Sequence, residues 1–103
     1  MIQLDRTKQV AKLEGELTIF HAAEARDWLA AELARDPALE LDLSAVTELD
    51  SAGIQVLFWL KREGQALGRS IPFAHHSPAV LEVFDQLNLV GLFGDTILIT
   101  PSA

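Results

Sequence analysis

Apolar and polar positions repeat along this chain with two different periods, and each change of period marks an element. Ile2 and Leu4 alternate with polar neighbours, and Val10-Ala11-Lys12-Leu13-Glu14-Gly15 resumes the alternation after a polar turn. This predicts a β-hairpin at the start. Beyond Gly15-Glu16-Leu17-Thr18 the period lengthens: Ala22, Ala25, Leu29 and Leu33 are spaced by 3, 4 and 4. Such a stripe predicts a helix over about His21 to Ala34, stopped by Asp36-Pro37 because proline cannot continue a helix. Leu39-Glu40-Leu41-Asp42-Leu43 alternates again as a short strand. A tight acidic loop follows it, and then a strongly apolar helix from Ser51 to about Leu67, with Gly64 and Gly68 at its fraying end.

The remainder continues the same alternation. Ile71-Pro72-Phe73-Ala74-His75 reads as a strand whose proline suits an edge or a strand beginning. Ser77-Pro78 opens a third helix with the stripe Val80, Val83, Phe84 and Leu87. A short helical turn is expected over Leu89 to Gly94, and a last strand over Thr96 to Thr100. Strands and helices alternate after an initial hairpin, which predicts an α/β fold with a mixed β-sheet and helices packed on it.

Composition narrows the class. At 103 residues the chain suits one domain, expected to span residues 1–103. With no cysteine, disulfides and thiolate chemistry are excluded. No apolar run approaches the roughly 20 residues needed to cross a bilayer. The N-terminal residues lack the basic-then-apolar pattern of a signal peptide, so a cytoplasmic location is expected. A formal net charge of −7 disfavours nucleic acid and anionic membrane surfaces and favours a basic protein partner.

The segment from Leu41 to Ile54 concentrates the candidate chemistry. On a helical wheel of 100° per residue, Ile54, Val56, Leu57, Phe58 and Leu60 fill one broad arc, the expected core face. Ser51, Gln55 and Trp59 are four apart and stack on the opposite side with Arg62 and Glu63. A tryptophan on a polar stripe fits either an interface or a place beneath a neighbouring element. Ala52 and Gly53 are small enough for another surface to approach the backbone and leave Ser51 accessible.

Two readings of Ser51 follow from its place at a helix start. As an N-cap its hydroxyl would contribute about 1 kcal/mol. As a phosphorylation site it would gain about −1.5 to −2 charge beside Asp50 and Glu48, with Asp42 in the same acidic loop. The helix N-terminus tolerates that charge, whereas a partner docked on an uncharged hydroxyl would not.

Leu41-Asp42-Leu43-Ser44-Ala45-Val46-Thr47-Glu48-Leu49-Asp50-Ser51-Ala52-Gly53 resembles the signature of the STAS family, shared by sulphate transporters and bacterial anti-sigma factor antagonists. Gly15-Glu16-Leu17 and Ser77-Pro78-Ala79-Val80 agree, and the likeness runs from about residue 8 to residue 99. It implies a sheet flanked by helices and no intrinsic enzymatic activity or cofactor. It also implies phosphorylation of Ser51 by a partner that is both anti-sigma factor and serine kinase. The unphosphorylated form would bind that partner, the phosphorylated form would not, and a phosphatase would reset the switch. By the same likeness Glu16, Thr18, Asp50, Ser51, Ala52, Gly53, Gln55 and Trp59 are the expected partner contacts. Thr18-Ile19-Phe20 departs from sporulation-type members, which often carry aspartate after the Gly-Glu-Leu corner, and Ala52 stands where they often carry a second serine. Gln55 and these departures resemble stand-alone members of chemotaxis-type signalling complexes. Related small subunits serve lipid-transport ATPases of the inner membrane, in which Ser51 would be a constitutive contact.

Other chemistry finds little support. His75 and His76 are adjacent, so in extended chain they point to opposite sides, and with His21 they lack metal-ligand spacing. Ser77 is expected to cap its helix. A hydrolase built on Ser51 would lack the Gly-x-Ser-x-Gly elbow, and no glycine-rich phosphate loop is present.

Overall fold

A computed structural model describes residues 1–36 and 38–89. β1 (Ile2–Thr7) and β2 (Val10–Leu17) form the expected antiparallel hairpin. Its two-residue connection places Lys8 in the left-handed region at φ 53°, as such turns demand. After α1 (Ala22–Arg35), β3 (Glu40–Leu49) joins β2 in parallel. After α2 (Ser51–Ala66), β4 (Phe73–Ala74) joins β3 in parallel, and α3 (Pro78–Gln86) follows. The sheet is mixed, in the order β1-β2-β3-β4. The expected helical turn and final strand beyond Leu89 lie outside the described residues, as does Pro37.

Because β2 and β3 are parallel and each is followed by a helix, α1 and α2 start at the same edge of the sheet and run back side by side. The predicted stripes are the buried ones: Ala25, Leu29 and Leu33 on α1, Ile54, Val56, Leu57 and Leu60 on α2, and Val80 and Phe84 on α3. They close over Leu13, Leu17, Leu41, Leu43 and Val46 from the sheet. Each large apolar side chain so enclosed contributes roughly 1.5–3 kcal/mol. Phe58 is only half-buried and Leu87 is exposed, so both stripes are narrower than the wheel suggests. On the outside, Arg6 of β1 bridges Glu32 and Asp36, tying the end of α1 to the hairpin.

β3 corrects the expectation of a short strand followed by an acidic loop, for it continues to Leu49. The pairing with β2 steps from Lys12↔Asp42 to Glu14↔Ala45, and again from Gly15↔Val46 to Glu16↔Glu48. Each step passes one more residue of β3 than of β2, which is a β-bulge. Burial therefore runs Leu41, Leu43, then Val46, and the two-residue period vanishes from the sequence while the strand persists. At the first bulge Asp42 accepts the Ser44 N–H at 2.8 Å. Asp42 thus belongs to the strand, opposite Lys12, and not to the loop before Ser51.

Candidate functional site

The site forms where the ends of β2 and β3 deliver two helix starts to one sheet edge. Asp50, the residue after β3, caps α2: its Oδ1 accepts the Gly53 N–H at 3.0 Å. Its Oδ2 accepts the Ile19 N–H at 2.9 Å, and its own N–H donates to the Leu17 carbonyl at 3.4 Å. A single carboxylate therefore joins the β2–α1 corner to the start of α2. Partial burial works to raise the pKa of Asp50, but the N–H groups of Gly53, Ile19 and Ala52 favour the ionised form and hold it below the ordinary value.

Ser51 is accordingly not the cap. It is the first residue of α2, exposed, and the capping task is already performed by its neighbour. Both residue types are strong caps; the strand ends one position earlier than a serine cap requires. Ser77, by contrast, does cap α3, accepting the Val80 N–H at 3.2 Å.

Other expected contact residues divide between two sides of Ser51. Glu16, Thr18 and Asp50 share a notch with Phe20, Glu48 and Leu49. Thr18 is mostly buried, at 8% exposure, whereas Glu16 lies at the rim with His21 Nε2 3.7 Å from its carboxylate. Ala52, Gln55 and Trp59 line a groove between α1 and α2. Trp59 is half-buried there beneath Arg26, whose guanidinium lies 4.8 Å from the ring centroid. The neighbouring helix thus accounts for the tryptophan on the polar stripe.

Gly53 stands apart from this group because it is buried. A Cβ at this position would collide with the Leu17 carbonyl oxygen and the Leu49 side chain. The surface that approaches Gly53 is the protein's own strand β2, which corrects its reading as an opening for a partner.

Sequence reasoning passes over two residues. Ile19 and Phe20 form the turn between β2 and α1 and are 68% and 87% exposed. Apolar side chains so exposed beside an accessible serine are suited to a protein interface. Their only sequence signal is the departure at Thr18-Ile19-Phe20. Among the described residues no group of three His, Asp or Glu side chains could hold a metal ion, and no helix is long and apolar enough to cross a membrane. His21 sits at the start of α1, whereas His76 packs edge-on against Phe84 at 5.5 Å.

Known structures of the same shape share this architecture. A candidate anti-sigma factor antagonist from Thermotoga maritima superposes with a TM-score of 0.74 at 22% identity, covering 96% of this chain and 86% of its own. An anti-sigma factor antagonist from Mycobacterium paratuberculosis gives 0.70 at 23% identity, with coverage of 96% and 86%. The Bacillus cell-fate determinant SpoIIAA in its phosphorylated form gives 0.64 at 19%, with coverage of 94% and 92%. No curated protein matches at the level of whole-sequence similarity. The family model described as Mlab, STAS domain, matches residues 1–99, and the chain belongs to the STAS domain family.

Proposed function

We propose that this chain is a regulatory binding module of the anti-sigma factor antagonist type. Its unphosphorylated form binds a partner that is an anti-sigma factor and serine kinase, and phosphorylation of Ser51 disrupts that binding. The observation that carries this reading is the division of labour at the start of α2. Asp50 does the capping, so the exposed Ser51 hydroxyl is left for a kinase. A phosphate there sits where a helix N-terminus favours negative charge, so the fold is retained while the surface changes. The module itself carries out no catalysis; the kinase and a resetting phosphatase do.

Affinity capture with the wild type, Ser51→Ala and Ser51→Asp tests the proposal. The kinase should be retained by the first two and lost by the third. Incubation of the captured kinase with ATP should add one phosphate to the wild type and none to Ser51→Ala. Retention of the same partner by Ser51→Asp would overturn the switch.

A second reading follows from the family description, which names Mlab: a constitutive subunit of a lipid-transport ATPase complex. In that case all three forms would capture an ATPase together with a membrane permease, and no phosphate would be transferred.

A further inference from the structure

The groove between α1 and α2 has a charge opposite to that of the protein as a whole. Several cations elsewhere are engaged: Arg6 by Glu32 and Asp36, Lys12 by Glu14, Arg35 by Glu32, and Lys61 by the Ile71 carbonyl. Arg26 of α1 and Arg62 of α2 instead face the same open groove of about 660 Å³. Neither forms an ion pair among the described residues, although Asp27 also lines the groove. Stacking on Trp59 holds Arg26 in place and consumes none of its five N–H donors. Both helices begin at one end of the groove, which adds their positive partial charge to that end.

Length distinguishes the occupant from a small ion. The α2 side of the groove runs from Ala52 to Arg62, ten helical steps and therefore about 15 Å. That is several times the width of a phosphate or a carboxylate and suits a stretch of polypeptide. We propose that the groove receives an acidic segment of the partner protein. Its carboxylates pair with Arg26 and Arg62, and its apolar atoms lie on Ala22, Ala52 and Val56. Resting on the switch reading above, the effect of phosphorylation becomes electrostatic. Ser51 adjoins Ala52 at the mouth of the groove, and a dianion there repels the acidic segment.

The test is a titration of the isotope-labelled full chain with hexaglutamate peptide at low ionic strength. It follows the indole Nε1–H of Trp59 and the amide of Gln55 by NMR. The expected result is a saturable shift of both signals. Apparent affinity should fall by about fivefold or more in the R26Q/R62Q double variant, whose spectrum also reports whether it is folded. Absence of saturation, undiminished binding by a folded double variant, or the same shifts from inorganic phosphate alone at equal concentration would overturn the proposal. Ser51→Asp is a separate arm. Weakened binding supports the electrostatic switch, whereas binding as tight as wild type overturns the switch reading and leaves the groove supported by the arginine variants.

Discussion

One carboxylate oxygen of Asp50 accepts the backbone N–H of Ile19 at 2.9 Å, joining residues 31 apart in the chain. The other oxygen caps α2 through Gly53. The corner bearing the exposed Ile19 and Phe20 and the helix bearing Ser51 are thereby fixed to each other before any partner arrives, which lowers the ordering cost of docking.

Asp50→Ala is expected to destabilise the fold by about 1–2 kcal/mol, since it removes a cap and leaves two N–H groups without their acceptor. Urea unfolding measures the difference. Because Asp50 is held below its ordinary pKa of 3.8, its contribution is full above the unfolded-state value and is lost as pH falls through the folded-state value. The gap between wild type and Asp50→Ala should therefore stay constant from neutral pH down to about pH 5 and close in stronger acid.

Ser51→Ala should alter stability by no more than about 0.5 kcal/mol, less than the loss of a cap would. Thermal unfolding distinguishes the two cases. A drop of 1 kcal/mol or more, about the value of a lost cap, would return the capping role to the serine.

Phe20→Ala should leave the melting temperature unchanged, because the ring is 87% exposed. The same change should weaken binding of the captured partner by about tenfold or more, as expected for an aromatic anchor at an interface. Isothermal titration with the purified partner decides it.

Gly53→Ala sets two effects against each other. Helix propensity favours alanine by about 1 kcal/mol, while the new Cβ meets the Leu17 carbonyl, an overpacking penalty of about 1–3 kcal/mol. Backbone is on the receiving side and cannot move aside as a side chain would. A net loss of stability is expected in urea unfolding, which would show that the glycine serves the interior.

What could be read in advance was whatever depends on neighbours in sequence. The buried stripes of α1 and α3 follow from a local 3.6-residue period, and Ser77 announces its helix through the proline that follows. The length of β3 was hidden because its bulges arise from pairing with β2, which no local period records. Asp50 and Ser51 are both good caps side by side, and only the end of the strand decides between them. The small size of Gly53 alone suggests an opening for a partner, because nothing local to α2 records the Leu17 carbonyl packed against it. The α1–α2 groove was half legible: Gln55 and Trp59 could be found on α2, but Arg26 comes from a helix 30 residues away whose position the fold alone supplies.

The two bulges act as a length correction. Ten residues of β3 cover the span that eight residues of β2 cover, and the surplus brings Asp50 level with the turn it must reach. Deleting either extra residue would advance the chain by one position, turning each following side chain to the opposite face of the sheet. Ser51 would then arrive where Asp50 now stands, too short to bridge to Ile19, and its hydroxyl would be committed to the helix. The serine is available because the strand before it is two residues longer than its neighbour.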